Sequence, residues 1–383
     1  MLSSSLANFL VKNGVALCVG VPDSVLEPFL AYVRQEVPAL ESVVCANEGG
    51  AISYAIGRHL SDKTIPLVYL QNSGLGNAVN PLVSLANQSI YSIPMVLLIG
   101  WRGEIDVNGR QVVDEPQHCV MGGITQPLLD LLGVPYSIIS AGTEPDIDEL
   151  QSLLKLSKDE SRPVCLLIGK NALELDRVQG SKTEDSLRRS NDRSLLTREE
   201  ILLEVLKLAD PSTKFLATTG YTGRELDDLS ENFNFTSQPF LSVGGMGHVS
   251  AIAAGYSTTN SSQPVVCLDG DGSMFMHLGN LVSLAQSGKV LHVVINNGIH
   301  ESVGGSPIVN SELDLSAIAK TIGYRVVARI ADRLELCSFV KDFFESDMNH
   351  PVFLEVLCRA GVRKNLKRPD RDFVMRKQSF MEF

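Results

Sequence analysis

Short strand-like runs alternate with amphipathic helical patterns along nearly the whole chain of 383 residues. In the first half, runs rich in valine, isoleucine and leucine occupy residues 16–19, 43–46, 65–70, 94–100 and 164–168. Helical spacing of apolar residues separates several of them, at residues 25–37, 48–60 and 147–156. Because continuous apolar strands that alternate with helices form sheets covered on both faces, this pattern predicts an α/β fold of doubly wound parallel sheets.

One polar stretch, from Lys170 to about Glu200, interrupts the alternation. It is almost free of large apolar side chains, which is typical of an exposed linker. Thr197, followed by two glutamates, then predicts a helix start, and strand-like runs return at residues 214–218, 265–268, 290–295, 324–328 and 352–357. We therefore expect two domains, residues 1–175 and 197–383, joined by a linker at 176–196 with no third domain between them.

The charge balance excludes some classes of partner. Thirty-three lysine and arginine residues against 44 aspartate and glutamate residues give a formal net charge of −11. Nucleic acid and anionic membrane surfaces both need a cationic footprint, so we expect no nucleic-acid partner and no membrane partner. The longest apolar runs, such as residues 93–101, are also far shorter than the ~20 residues that span a bilayer.

The cysteines and the N-terminal stretch bear on location. The seven cysteines are scattered, mostly in apolar runs and without a CxxC pair, which indicates reduced thiols in a reducing compartment. Residues 1–20 are apolar enough for a secretory signal, but they lack a basic start, and Leu2, Leu6, Phe9 and Leu10 repeat at helical spacing. We expect a first helix and strand of the mature fold, and a cytoplasmic protein.

The most informative segment reads Leu-Asp-Gly-Asp-Gly-Ser from Leu268 to Ser273, after a strand-like run and before a helix predicted to begin at Ser273. Two glycines around Asp271 permit a turn close to a bound phosphate, and the helix would add its N-terminal dipole to an anion site. The next strand-like run ends in Asn296 and Asn297. Carboxylate and amide oxygens are ligands that suit Mg²⁺, which usually keeps phosphate oxygens and water as its other ligands.

On its own, the Asp-Gly-Asp-Gly tetrapeptide is more often a plain turn between a strand and a helix. The Asn296-Asn297 pair at the end of the next strand-like run favours a ligand site over a plain turn. Donors that follow two adjacent parallel strands lie at their carboxyl ends, where open α/β sheets bind ligands. The two segments together therefore predict a divalent metal that holds a diphosphate.

This pair of motifs, Gly-Asp-Gly and then Asn-Asn one helix and one strand later, resembles the signature of the thiamine diphosphate enzymes. The resemblance implies thiamine diphosphate and Mg²⁺ as cofactors. The Mg²⁺ ligands would be Asp271, the side chain of Asn297 and the backbone carbonyl of Ile299. The residues that the resemblance assigns to the diphosphate are Gly270, Gly272, Ser273 and Asn296.

The second half of such a site is an acid in the first domain. Glu48 follows the strand-like run at 43–46 and begins a helical pattern, where a lone glutamate is more often a cap that offsets the helix dipole. The resemblance implies instead that Glu48 hydrogen-bonds a ring nitrogen of the aminopyrimidine and activates the cofactor. A pyrimidine-binding domain followed by a diphosphate-binding domain is the order of the decarboxylase-type members.

Residues 268–273 are called the metal segment below. A glycine-rich run, residues 243–248, lies between the linker and this segment. The resemblance suggests Met246 as the apolar residue under the bent cofactor and the Gly244 carbonyl as a hydrogen-bond acceptor for the aminopyrimidine. A core methionine beside a turn is the simpler alternative. Gly76, in the run from Gln71 to Pro81, is assigned to the cofactor site as well.

Two alternatives lie outside this reading. A nicotinamide oxidoreductase is weakly supported, because Gly74 and Gly76 begin a dinucleotide fingerprint but Val79 stands where its third glycine belongs. A binding protein that kept the fold without the activity is the other alternative. Retention of Glu48, Asp271 and Asn297 together argues against it.

The finer resemblance is to the phosphonopyruvate and sulfopyruvate decarboxylases, and it covers nearly the whole chain. It implies a small anionic 2-oxo acid substrate, 3-phosphonopyruvate, with the sulfonate analogue as the nearest alternative. The motifs that carry it are Gly20-Val21-Pro22-Asp23-Ser24, residues 71–81, Gly100-Trp101-Arg102-Gly103, residues 114–118 and residues 300–305.

Such a substrate carries two anionic groups and therefore needs local donors in a net-acidic protein. The candidate donors are Arg102, Arg110, His118, His300 and the basic run at residues 363–368, which is as readily a solvated face. The catalytic candidates besides Glu48 are His300, Asp23, Ser24 and His118. Because the two halves of the cofactor site meet across a subunit boundary in this superfamily, the resemblance also implies a homo-oligomer, at minimum a dimer.

Overall fold

The computed structural model describes residues 1–106, 108–174, 192–259, 263–370 and 372–382. The chain divides into two compact units. Unit 1 comprises Met1–Lys182 and Val303–Ser306, and unit 2 comprises Thr183–Ser302 and Pro307–Phe383. Most of the predicted linker, residues 176–196, lies outside the described residues. Within the described ranges, no helix has the length and apolar character needed to cross a bilayer.

Unit 1 contains a parallel sheet flanked by helices. Its strands are β1 (Val15–Gly20), β2 (Glu41–Val44), β3 (Ile65–Gln71), β4 (Met95–Trp101), β5 (Tyr136–Ile139) and β6 (Pro163–Gly169). Its helices are α1 (Ser3–Lys12), α2 (Glu27–Glu36), α3 (Glu48–Asp62), α4 (Leu75–Pro81), α5 (Pro116–Leu131) and α6 (Ile147–Glu160). The strand order is β2-β1-β3-β4-β6-β5, and every pair of neighbours is parallel.

Both faces of this sheet are buried, as its continuous apolar strands predict. Leu67 and Tyr69 of β3 belong to one hydrophobic core, which also contains residues of α1 and α2. The residues that alternate with them, Val68 and Leu70, belong to a second core, which contains residues of α3. The predicted first helix and strand are confirmed as α1 and β1.

Unit 2 contains a second parallel sheet. Its strands are β7 (Lys214–Ala217), β8 (Phe240–Leu241), β9 (Val265–Gly270), β10 (Val290–Asn296), β13 (Val326–Ile330) and β14 (Val352–Leu357), and two short strands, β11 (Ile299–His300) and β12 (Ser306–Pro307), lie between them in sequence. The helices are α7 (Arg198–Leu208), α8 (Tyr221–Ser230), α9 (Val249–Thr259), α10 (Asp271–Met276), α11 (Asn280–Leu284), α12 (Leu315–Ile322), α13 (Arg333–Glu345) and α14 (Phe373–Met381). The sheet order is β13-β14-β10-β9-β7-β8, and this sheet borders a hydrophobic core of its own.

The α/β fold of parallel sheets is confirmed, as is the helix start after Thr197. Thr197 caps α7: its side chain accepts a hydrogen bond from the Glu200 amide, and the Glu200 carboxylate accepts one from the Thr197 amide. Four strands of the described residues were not predicted from the sequence: β5, with four residues, and β8, β11 and β12, with two residues each.

The helix predicted to begin at Ser273 begins two residues earlier, at Asp271. The Asp271 carboxylate accepts a hydrogen bond from the Gly272 amide and so satisfies one of the donors at the helix start. The predicted start of this helix is therefore corrected by two residues, and the contribution of its N-terminal dipole to an anion site stays a prediction.

Candidate active site

Unit 2 has a cleft at the carboxyl ends of β9 and β10, where the sequence predicts the metal segment. The cleft has a volume of about 530 Å³ and opens to solvent. The residues that line it are Arg198, Thr218, Thr219, Tyr221, Thr222, Met246, Gly270, Asp271, Gly272, Ser273, Ile295, Asn297, Ile299, His300, Glu301 and Ser302. The three predicted metal ligands therefore lie in one cleft, together with Met246 and His300.

Asp271 is buried at the floor of this cleft. One carboxylate oxygen accepts a hydrogen bond from the Gly272 amide at 2.7 Å, and the other accepts one from the Gly298 amide at 2.7 Å. Burial raises the pKa of Asp271 to about 7, although hydrogen bonds from the Gly298, Gly272 and Asn297 amides act in the opposite direction. Among the described residues, backbone amides donate to this carboxylate, and no cationic side chain pairs with it to stabilise its ionised form.

Asn297 lies beside Asp271, in the turn that follows β10. Its side-chain oxygen accepts a hydrogen bond from the Ile299 amide at 3.1 Å, and its side-chain nitrogen donates to Glu301 at 3.2 Å. Gly298, between them, has a φ of 76°, a left-handed conformation that glycine adopts at little cost. This turn presents the Gly298 amide to Asp271 and the Asn297 amide group to the cleft.

Asn296 is oriented differently from its neighbour. Its side-chain nitrogen donates to the fully buried Glu355 of β14 at 2.8 Å, and Asn296 is not among the residues that line the cleft. Glu355 also accepts a hydrogen bond from the Ser316 amide at the start of α12. The role of Asn296 toward a diphosphate stays a prediction. Glu355 was not among the predicted site residues, because it is a single acid within an otherwise apolar strand and belongs to no motif.

Ser273 joins three segments of the cleft wall. Its hydroxyl lies 2.8 Å from the Thr218 hydroxyl and accepts a hydrogen bond from the Gly247 amide at 3.1 Å. Gly247 follows Met246, which lines the cleft, while Gly244 stands one turn earlier in the same run. The contact fixes the glycine-rich run against the start of α10.

His300 packs on the metal segment. A Cβ atom added at Gly272 would lie 2.5 Å from the His300 ring, so the two residues are in close contact. Burial lowers the pKa of His300 to about 4, and the imidazole is therefore neutral at pH 7. A neutral histidine can donate one hydrogen bond and accept another, but it brings no positive charge to the cleft.

A buried ion-pair network, which no sequence motif indicated, lies beside the metal segment. Arg198, the first residue of α7, donates to both carboxylate oxygens of Glu225 at 2.8 and 2.9 Å. Its remaining terminal nitrogen donates to Glu301 at 2.7 Å. Glu301 also accepts hydrogen bonds from Asn297 and, at 2.7 Å, from the Gly361 amide. Glu301 stood in the motif at residues 300–305, but no pattern in the chain linked it to Arg198.

In unit 1, Glu48 is the first residue of α3 and is 5% exposed. Its carboxylate accepts a hydrogen bond from the Asn77 side chain at 2.8 Å. Burial raises its pKa, and the Asn77 hydrogen bond acts against that rise. Gly74 lies directly against the carboxylate, and a Cβ atom added there would overlap it. Gly74 and Asn77 therefore leave the Glu48 carboxylate little room to move. Gly76, in contrast, is exposed on α4.

Asp23 is a second buried acid of unit 1. It is 0% exposed, and one oxygen accepts hydrogen bonds from the Val25 and Leu26 amides at 3.0 and 3.1 Å. The other oxygen, Oδ2, has no hydrogen-bond partner among the described residues. Burial raises the pKa of Asp23 to about 6, against the effect of these amides and of the Arg102 charge. The adjacent Ser24 is exposed.

Two of the basic candidates for substrate binding, Arg102 and Arg363, are engaged with acids. Arg102 makes a two-pronged ion pair with Asp114, with distances of 2.6 and 2.5 Å. Arg363, from the terminal basic run, pairs with Glu199 and Asp228. His118 lies half-buried in the first turn of α5, near Asp114 in sequence. These arginines therefore serve the packing of their own units in the structure described.

Two family models match the chain. Residues 2–128 match the thiamine pyrophosphate enzyme N-terminal TPP binding domain, and residues 229–356 match the C-terminal TPP binding domain. Glu48 and Asp23 lie inside the first match, and the lining of the cleft from Met246 to Ser302 lies inside the second.

Curated relatives match over most of the chain. It is 31% identical to a protein named phosphonopyruvate decarboxylase from Streptomyces viridochromogenes, over 93% of this chain and 88% of the relative. It is 30% identical to one of the same name from Streptomyces hygroscopicus, over 93% and 87%. It is 22% identical to a sulfopyruvate decarboxylase from Methanosarcina acetivorans, over 91% and 89%.

Proposed function

The chain belongs to the thiamine pyrophosphate enzyme family, and on that premise we propose that it decarboxylates 3-phosphonopyruvate to phosphonoacetaldehyde and CO₂. The observation that carries the choice of substrate is the identity, over nearly the full length of both chains, with two relatives named for that reaction. The experiment that tests it is an aldehyde-release assay on phosphonopyruvate, with thiamine diphosphate and Mg²⁺ omitted in turn. Aldehyde release that does not depend on either cofactor would contradict the proposal.

The donor set of the cleft fits Mg²⁺. A buried carboxylate from Asp271, the amide oxygen of Asn297 and the backbone carbonyl of Ile299 are all oxygen ligands of the kind that Mg²⁺ accepts. No group of three or more histidine, cysteine, aspartate or glutamate side chains suited to a metal occurs in the described part of the chain. A site with a single carboxylate is instead suited to a cation whose remaining ligands come from phosphate and water.

The charge of the cleft supports the same assignment. Its lining carries one arginine, Arg198, and two carboxylates, Asp271 and Glu301, and the arginine is already paired with acids. A diphosphate would meet a net negative surface there. A divalent cation reverses this, and so we propose that Mg²⁺ links the diphosphate to unit 2.

When bound, thiamine diphosphate supplies the carbon nucleophile for the 2-oxo group and the electron sink for the pair released with CO₂. Glu48, with its buried carboxyl group hydrogen-bonded by Asn77, would share a proton with a ring nitrogen of the cofactor. Met246 supplies an apolar contact, and Gly244 a carbonyl acceptor, for the same cofactor. The assigned residues of the diphosphate end are Gly270, Gly272, Ser273 and Asn296, with Gly76 on the pyrimidine side.

We assign the substrate contacts to polar groups that the structure keeps uncharged or able to change charge near neutral pH. His300 is neutral in the cleft and can hydrogen-bond an anionic oxygen of the substrate. Asp23 has a raised pKa and an unpartnered oxygen, so it can hold and release a proton near neutral pH. Ser24 and His118 are the remaining candidates from unit 1.

Sulfopyruvate is the second candidate substrate, favoured by the more distant relative named for it. A sulfonate carries a single negative charge, whereas a phosphonate can carry two and accept a proton. Turnover of the two acids measured side by side, at matched concentration and pH, decides between them. Faster turnover of sulfopyruvate would reassign the substrate while leaving the cofactor assignment intact.

We further propose a homo-oligomer, at minimum a dimer. The helix α5 carries an exposed apolar stripe, with Val120 67%, Ile124 47% and Leu131 83% exposed, which supports contact with another copy of the chain. Light scattering tests this, and an active monomer would contradict it. The cytoplasm is the proposed location, supported by seven cysteines that are all free thiols.

A further inference from the structure

Glu301 occupies a central position behind the predicted metal ligand Asn297. One of its oxygens accepts a hydrogen bond from the Gly361 amide at 2.7 Å. The other accepts hydrogen bonds from Arg198 at 2.7 Å and from the Asn297 side chain at 3.2 Å. Glu301 therefore connects the start of α7, the turn after β10 and the segment after β14.

The chemistry of this contact determines the orientation of the Asn297 amide. An ionised carboxylate can only accept hydrogen bonds, so the atom of Asn297 that faces Glu301 must be its nitrogen. The amide oxygen is then turned the other way, where it accepts from the Ile299 amide and keeps a second lone pair for a ligand. The Ile299 amide favours the same orientation, and Glu301 adds a second restraint from the nitrogen side.

Arg198 fixes Glu301 in turn. Its side chain is 5% exposed, and Glu225, whose side chain is 0% exposed, holds it through two parallel hydrogen bonds. With Nε and Nη2 of this planar group held by Glu225, its other terminal nitrogen, Nη1, donates to Glu301. The ion pair also stabilises the negative charge that keeps Glu301 an acceptor.

We propose that Glu301 and Arg198 are positioning residues that hold the amide oxygen of Asn297 in place for Mg²⁺. This inference rests on the proposed function, because it assumes that Asn297 is a metal ligand. Residues that orient metal ligands without touching the metal typically change its affinity by about 10- to 100-fold when they are replaced. Both residues then act on metal affinity rather than on the chemical step.

The test measures Mg²⁺ binding directly, by calorimetric titration of the full-length protein at a fixed, saturating concentration of thiamine diphosphate. Glu301→Gln and Arg198→Met should weaken Mg²⁺ binding by about 10- to 100-fold. Arg198→Lys keeps the charge but loses the two-pronged geometry, so a smaller shift is expected. At saturating Mg²⁺, both the affinity for thiamine diphosphate and kcat should return to within a few-fold of the wild-type values.

The matched control is Arg376→Met. Arg376 is also a buried arginine of unit 2, with a 2.5 Å ion pair to Asp227, but it does not line the cleft. Its loss should lower resistance to urea and leave the Mg²⁺ affinity unchanged. If Glu301→Gln does not fold, Arg198→Lys gives the same comparison with a milder change.

Three outcomes separate this inference from its alternatives. If the variants lose stability like the control while Mg²⁺ affinity stays within twofold, the network is structural only and the inference is wrong. If Arg198→Met weakens thiamine diphosphate binding at saturating Mg²⁺ with an unchanged Mg²⁺ affinity, Arg198 is an anion contact and the inference is also wrong. If the wild-type protein itself shows no Mg²⁺-dependent binding of thiamine diphosphate, the proposed function fails first.

Discussion

The two units share one strand order but differ in what they place at the same edge of the sheet. Numbered from its own first strand, unit 1 has the order 2-1-3-4-6-5, and unit 2, read from β8 to β13, has the same order. In both, the residue after the third strand accepts a hydrogen bond from a backbone amide after the fourth. Asn72 accepts from the Arg102 amide at 3.2 Å, and Asp271 accepts from the Gly298 amide at 2.7 Å.

The difference lies in the side chain at that shared position. Both N–H groups of Asn72 are used, one by the Arg102 carbonyl at 2.9 Å and one by the Thr125 hydroxyl at 3.0 Å. Asp271 has no donor group to satisfy, and within the described residues its two oxygens accept from the Gly272 and Gly298 amides. In unit 1, Asn72 therefore makes its hydrogen bonds within the protein. In unit 2, the same position holds a carboxyl group, which is suited to binding a cation. The acid of unit 1, Glu48, stands instead after the second strand.

The strongest way to break this comparison is Asp271→Asn, which gives unit 2 the side chain found in unit 1. We expect Mg²⁺-dependent binding of thiamine diphosphate to be lost and turnover to fall by at least about a thousandfold, since a neutral amide is a weak ligand for Mg²⁺. Equilibrium dialysis of the cofactor with and without Mg²⁺ measures the binding. The reciprocal variant, Asn72→Asp, should destabilise unit 1 and leave Mg²⁺ affinity intact.

Glu48→Gln replaces the acid of unit 1 with an amide of nearly the same shape. Because an amide cannot share a proton with the cofactor as a carboxyl group does, turnover should fall by about 10²- to 10³-fold. Binding of thiamine diphosphate should change little, because we assign its diphosphate end to unit 2. Unchanged turnover in the aldehyde assay would remove Glu48 from its assigned role.

Gly74→Ala sharpens the comparison by moving Glu48 without altering its chemistry. The added methyl group would overlap the Glu48 carboxylate, so the acid must shift, and we expect turnover to fall by roughly a hundredfold, as for a misplacement of about 1 Å. Gly57→Ala is the matched control. No atom lies within 4 Å of a Cβ atom added at Gly57, on the exposed side of α3. Equal activity of both variants would contradict the expectation.

The last substitution concerns the pH dependence of the free energy of unfolding, to which Asp23 contributes. Its folded-state pKa of about 6 lies above the ordinary value of 3.8, so the stability that it contributes is present below pH 3.8 and lost as pH rises through 6. Asp23→Asn should remove this loss, worth about 3 kcal/mol, and flatten the pH dependence of urea unfolding between pH 4 and 7. A wild-type slope that persists in the variant would assign it to another group.

Sequence alone was sufficient for the features that depend on local pattern. Apolar runs gave most strands, because buried parallel strands are continuous in sequence, and Thr197 with Glu200 gave the start of α7 through a local capping pair. The motif residues Asp271, Asn297, Ile299 and His300 share one cleft because adjacent parallel strands end at one edge.

What the sequence could not give depends on side-chain direction across distant segments. Asn296 and Asn297 are neighbours in sequence, yet one faces Glu355 and the other Glu301, since the chain turns at Gly298. Arg102 looked available for a substrate, but its partner Asp114 lies beyond a loop that carries no pairing signal. The link from Arg198 to Glu301 joins residues that are about a hundred positions apart, which no local periodicity can reveal.

The separate hydrophobic cores of the two units have a consequence for how heat denatures the protein. Because each unit packs around hydrophobic clusters of its own, we expect scanning calorimetry to resolve two endotherms rather than a single cooperative peak. Added Mg²⁺ with thiamine diphosphate should displace the endotherm of unit 2 most strongly, because a ligand stabilises the part of the fold that holds it. A single midpoint temperature would therefore describe neither unit.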